Sequence, residues 1–157
     1  MARIKSMTPR TQFEDVFFKR SSSLYDSMAQ RKQAKLAGGL PFSRAEWSCW
    51  LLEQLGGTME GVIKCHYCNL HLHVGLVTPD HKTALSRGGS LGLENLALAC
   101  AKCNRVKGSC SEDGFRMLID FLLTLHPSDM SDVLGRLATG GEGAKALWRR
   151  QSKAKPF

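Results

Sequence analysis

The chain has 157 residues, carries 22 Lys and Arg against 14 Asp and Glu for a formal charge of +8, and is 43% hydrophobic. That length suits one modest domain, or a small core with helical additions, and excludes two large domains. The composition is that of a globular protein, and no stretch approaches the roughly 20 apolar residues of a membrane helix; the best, 115–125, is interrupted by Arg116 and Asp120.

The opening MARIKSMTPR is basic but leads into no apolar signal core, so an intracellular protein without a membrane partner is expected. Basic charge is concentrated at the N-terminal end, with nine Lys and Arg against three acids in residues 1–44. A second block, Lys145, Arg149, Arg150, Lys153 and Lys155, forms a tail without acids. Both blocks suit a polyanionic partner, although basic charge also serves solubility.

Residues 10–37 are polar and basic, with Phe13, Val16, Phe17, Leu24, Tyr25 and Met28 at helix-compatible spacings, and Gly38-Gly39 followed by Pro41 ends the segment. Ser43 and Glu46 form an S-x-x-E capping box for a helix whose apolar face, Trp47, Trp50, Leu51 and Leu55, runs up to Gly56-Gly57. Both tryptophans are read as core. Two short β-prone runs follow, 72–78 and 96–99, separated by the turn-rich SRGGSLG, and they predict a hairpin with a long loop. A short helix over 101–107 completes a strand, loop, strand, helix order. Ser111 then caps a helix to about Leu125, Ser128 or Ser131 caps another after Pro127 to about Ala138, and 144–152 suit a last basic helix.

Within this frame Cys65-x-x-Cys68 and Cys100-x-x-Cys103 stand 31 residues apart. Two C-x-x-C turns present four thiolates to one tetrahedral ion, which points to zinc. Four sulfurs close its coordination shell, so this zinc is structural and the chemistry lies elsewhere. His66, inside the first turn, can in principle replace a thiol. Cys49 and Cys110 fall outside the spacing and receive no role.

Asp80 and His81 close the first predicted strand, and Asn104 follows Cys103 on the short helix. If zinc draws helix onto hairpin, Asp80 and Asn104 share one side, where hard oxygens suit Mg²⁺ or Mn²⁺. His81, with an ordinary imidazole pKa of about 6.5, stands beside them as a proton acceptor for water attacking a phosphodiester.

The string CHYC, TPDH, SRGGS, LENLALAC and AKCNRVKG resembles the zinc-containing branch of the HNH endonuclease superfamily over about 45 of the 157 residues. The resemblance implies an α+β, ββα-metal core with a structural zinc, flanked by N- and C-terminal helices. It makes Asp80 and Asn104 metal ligands, His81 the general base, Asn95 the residue that orders the loop, and Lys107 a lysine near the scissile phosphate. Two positions depart from the pattern. Asn104 stands where the third motif letter is often His, a substitution also found in phage resolvases and in the nuclease domain of RNA-guided CRISPR effectors. Ala84 stands where proline is common.

The expected organisation is a basic helical DNA-binding extension over 1–58, the nuclease core over 59–110, and a helical extension with a basic tail over 111–157. Lys82, Arg87, Lys102 and Arg105, with Lys107, surround the expected site and suit phosphate contacts. The implied activity is metal-dependent cleavage of double-stranded DNA by a monomer or homodimer, with nicking by a phage-encoded or group I intron-encoded homing enzyme as the specific form. A non-catalytic zinc-binding DNA module, or a packaging or restriction-type HNH nuclease, is the alternative. His71 and His73 are read as cross-strand structural residues in preference to DNA contacts, and His126 as a helix terminus.

Overall fold

A computed structural model describes residues 11–151, with side chains described for 11–139. The basic side chains at 145, 149, 150, 153 and 155 lie outside the described side chains, as does the basic segment 1–10.

Thr11 and Glu14 form a reciprocal capping box that starts α1 (Gln12–Ala29), and Phe17, Ser21, Leu24 and Met28 make its buried stripe at spacings of three and four. The single helix expected to run to residue 37 breaks at Gln30 and Arg31, where Arg31 is extended (φ −63°, ψ 144°) and α2 (Lys32–Leu36) begins. Neither residue is a local helix breaker. The break goes with tertiary contacts, because Ala34 of α2 is wholly buried and Arg31 reaches His81. Next, α3 (Arg44–Gln54) starts at the expected Ser43 and Glu46 box. Trp47 is fully buried, donates its indole N–H to the Ser21 carbonyl at 2.9 Å and stacks on the partly buried Trp50.

The predicted run 72–78 is not one strand. It divides into β2 (His71–His73), a single 3₁₀ turn over Val74–Leu76, and β3 (Val77–His81). The His73 imidazole causes the local turn by accepting the Gly75 N–H at 3.2 Å, while Val74 is buried and Leu76 left exposed. β2 pairs antiparallel with β1 (Val62–Lys64), a strand too short and mixed to signal itself, in the register Ile63 opposite Leu72. His71 therefore faces Lys64 and His73 faces Val62. β3 pairs antiparallel with β4 (Leu96–Cys100), placing Asp80 opposite Ala97 and His81 opposite Leu96.

Cys100 both ends β4 and caps α4 (Ala101–Lys107), so the chain turns from strand to helix at a thiol. α5 (Glu112–Leu123) begins at Ser111, whose hydroxyl accepts the Gly114 N–H. The last helix, α6 (Pro127–Gln151), starts at Pro127 and runs unbroken, so neither Ser128 nor Ser131 caps it and the separate helix expected from 144 is its continuation. Proline fits the first helical position because its missing N–H would have no intrahelical acceptor there. The His126 carbonyl accepts the first helical bond from Met130, which makes His126 the terminus.

One hydrophobic core joins these parts. It runs from Phe17, Leu24 and Met28 through Trp47 and Leu51, past Cys65, Leu72, Val77 and Leu98, to Phe115, Ile119 and Leu134. Short strands and a seven-residue helix bury little by themselves, and the flanking helices supply the apolar surface they lack. Arg20 adds a polar tie by donating to the Val77 carbonyl at 2.5 Å, which fixes α1 against the start of β3.

Candidate active site and metal centre

The four paired cysteines converge. Their Sγ atoms lie within 4.8 Å of one another and all four residues are buried. β1 delivers Cys65 into a turn that closes through Asn69, whose φ of 58° is left-handed, and the Cys65 sulfur accepts the Cys100 N–H at 3.3 Å. The Cys100 sulfur in turn accepts the Cys103 N–H at 3.3 Å. Cys68 and Cys100 stand 3.9 Å apart, Sγ to Sγ. A zinc tetrahedron with bonds of about 2.3 Å has sulfur–sulfur edges of about 3.8 Å, so the cluster fits that ion.

Hydrogen bonding from Cys100, Cys103 and Cys68 holds the Cys65 thiol far below its ordinary range, whereas hydrogen bonding with Cys100, Cys65 and Cys68 pushes Cys103 up. Four thiols packed this closely cannot all ionise without a cation among them. The expectation that His66 can replace a thiol is corrected. Its Nε2 lies 2.7 Å from Glu112 Oε1 and 2.6 Å from an Arg116 nitrogen, so it clamps α5 to the cysteine turn and stays out of the sulfur cluster.

The cysteine cluster, with Cys100 and Cys103 at the start of α4, sets that helix across the end of β3. Asp80, His81 and Asn104 then line one cavity of about 220 Å³ together with Arg31, Gln33, Ala84, Leu85 and Gly108. Asp80 and His81 are only 6% and 7% exposed. The donors around Asp80 gather on Oδ2, which accepts the Tyr67 hydroxyl at 2.6 Å and faces the Lys107 ammonium at 3.0 Å. Asn104 donates weakly to the Pro79 carbonyl at 3.4 Å. One carboxylate and one amide oxygen are a hard donor set, suited to Mg²⁺ or Mn²⁺ and unsuited to the soft ion of the sulfur cluster.

Burial and the neighbouring Arg31 charge hold the His81 imidazole down at about 4, against the opposing pull of Asp80. Its neutral form, the one able to accept a proton, therefore prevails at neutral pH. Arg31 Nη1 lies 3.1 Å from His81 Nδ1.

The resemblance implies a lysine near the scissile phosphate, and the Lys107 side chain is wholly buried, paired with Asp80 and donating to the His81 carbonyl at 2.6 Å. One ammonium thus fixes both neighbouring residues of β3 from beneath. Lys107→Met should leave the Asp80 carboxylate buried without its cation and lower stability by about 3–5 kcal/mol. Chemical denaturation measures this, and a loss below about 1 kcal/mol would mean that the pair carries no such weight.

Asn95 ties both ends of the loop between β3 and β4. Its carbonyl oxygen accepts the Thr83 N–H at 2.9 Å, and its amide donates to the carbonyls of Thr83 at 2.9 Å and Ser90 at 2.7 Å. Gly89 passes so close that an added Cβ would stand 2.0 Å from the Thr83 oxygen and 2.9 Å from the Asn95 amide. A side chain there would force this knot apart.

None of the four cations expected to grip phosphate lines the cavity. Lys82 is half-buried and donates to the Glu94 carbonyl, Lys102 bonds Ser131 of α6 at 2.8 Å, and Arg87 and Arg105 are exposed. Arg31, Gln33 and Tyr67 are the residues that sequence reasoning passed over. Arg31 lies 50 positions before His81, with no local pattern to join them. Tyr67 had one visible signal, its place inside the first cysteine pair.

Residues 65–109 match the family model described as HNH endonuclease, and these residues form an HNH domain within an α+β protein. No curated protein and no solved structure matches the chain.

Proposed function

We propose that this HNH-domain protein is a divalent-metal-dependent DNA endonuclease that hydrolyses phosphodiester bonds one strand at a time. The observation that carries the reading is the convergence of Asp80, His81 and Asn104 on one cavity, within a segment that matches the HNH model. A bare zinc module has no need of a buried acid, a neutral histidine and an amide around a common space.

His81 accepts a proton as the water oxygen attacks phosphorus, and the bond from phosphorus to the leaving sugar oxygen breaks. Asp80 and Asn104 would hold Mg²⁺ or Mn²⁺, which supplies charge stabilisation for the phosphoryl oxygens. Lys107 and Tyr67 hold the Asp80 carboxylate in place, and Asn95 holds the loop that forms one wall of the cavity. Outside the cavity, Lys82, Arg87, Lys102 and Arg105 take phosphates of the duplex on either side, which positions it without reading its sequence. The basic segment up to residue 58 and the basic tail lengthen that footprint, so affinity falls steeply with salt. An extended footprint suits a homing-type enzyme of phage or intron origin. One site cuts one strand per encounter, and double-strand cleavage then requires a dimer or a second visit.

A supercoiled plasmid with Mg²⁺ or Mn²⁺ should become open circles before any linear product. Direct linearisation would argue against nicking. Binding without cleavage under every divalent metal would make the protein a zinc-stapled DNA-binding module instead, and a short footprint without site preference would favour a packaging or restriction-type nuclease.

A further inference from the structure

The Arg31 contact with His81 has a chemical consequence for a base. A guanidinium donates and never accepts, so His81 Nδ1, at 3.1 Å from Arg31 Nη1, must be the acceptor. A neutral imidazole carries one N–H, which then sits on Nε2. In this arrangement neither ring nitrogen has a lone pair to offer a water molecule.

We propose that Arg31 is a substrate-contacting residue that guards His81 in the free protein and moves onto the scissile phosphate when DNA enters, releasing Nδ1 to take the proton of the attacking water. The proposal rests on the nuclease reading and deepens it, since it names the group that couples DNA engagement to exposure of the base.

Four observations point the same way. Arg31 is the single cation lining the cavity among the described residues, where Lys107 is already committed beneath Asp80. Its hydrogen-bond partner there is an uncharged ring nitrogen, with the Asp80 charge also acting on it, whereas a phosphate offers a guanidinium two parallel bonds to anionic oxygens. Arg31 also stands at the break between α1 and α2 in extended conformation, so its side chain is carried by a junction and not by the middle of a rigid helix. Arg31 is half-buried on the cavity lining, which leaves part of it accessible to an entering strand.

The test combines nicking with a direct view of His81. Imidazole NMR of the full chain, with zinc and no other divalent cation, should show His81 Nδ1 as a hydrogen-bond acceptor in the free protein. Addition of a short duplex should move that signal. Arg31→Gln should show the moved signal without DNA and give no further response when DNA is added. In single-turnover nicking of supercoiled plasmid with Mn²⁺, Arg31→Gln should be slowed by about 10²-fold, the effect of losing one preorganised transition-state donor, and Arg31→Lys should recover part of it. Affinity for DNA at fixed salt should fall far less than the rate.

Arg31→Gln nicking at the wild-type rate, or a wild-type His81 signal that DNA leaves in place, would overturn the proposal. The wild-type measurement decides even if a substitution proves unstable. Should the wild type cut nothing while DNA still moves His81 through Arg31, the exchange stands and the nuclease reading fails. Should the wild type nick while the His81 signal stays put, the nuclease reading stands and the exchange fails.

Discussion

Cys103→Ser, or removal of zinc by a strong chelator, should abolish the cooperative unfolding transition of this protein together with any DNA cleavage. The size of the effect follows from where the sulfurs sit. All four are buried and belong to the same core cluster as Trp47, Leu98 and Phe115, and Cys100 is at once the end of β4 and the cap of α4. Zinc binding to modules of this kind is worth about 10–16 kcal/mol, whereas whole domains are stable by only about 5–15 kcal/mol. A core that has lost the ion must also keep several thiols together with no cation to balance those that ionise. Calorimetry with zinc analysis checks this, and readdition of Zn²⁺ should restore the transition in the chelated wild type where Mg²⁺ does not. A zinc-free Cys103→Ser protein that melts like the wild type would show that the cluster is ornamental to the fold.

The same centre explains what could be read in advance. Ligand spacing is a local property, so the two cysteine pairs, the Ser43 and Glu46 box and the short helix after β4 were all legible in the chain. So was the grouping of Asp80 and His81 with Asn104, because the convergence of the four cysteines leaves that helix little choice of where to lie. What escaped depends on packing between distant segments. The break before α2 has no glycine or proline to announce it and goes with the burial of Ala34 and the reach of Arg31 to His81. The division of 71–81 into two strands turns on a His73 ring that accepts a backbone N–H, a choice a β-prone run does not display. Lys107 is the sharpest case. A lysine among other cations on a short helix reads as a surface contact, and only the placement of Asp80 and the His81 carbonyl within reach of its Nζ makes it an interior one.

His81→Ala should reduce nicking by about 10²–10⁴-fold, the range of general acid–base contributions, in a protein that keeps its zinc, its melting transition and its affinity for DNA. Its position makes this separable from folding. His81 ends β3 opposite Leu96, and the groups that Lys107 engages are the Asp80 carboxylate and the His81 backbone carbonyl, which remains when the ring is removed. Arg31 then loses its resting partner but keeps its route to phosphate, so DNA binding should not suffer. Added imidazole supplies the missing base within the vacated volume and should recover part of the rate, more so as pH rises through the imidazole range near 6.5 and the neutral form takes over. A purely structural histidine would give no such rescue, because a free ring in solution cannot restore packing geometry. Wild-type nicking by His81→Ala, at matched zinc content, would remove the imidazole from the chemistry and leave Asp80 and Asn104 to bind metal for some other purpose.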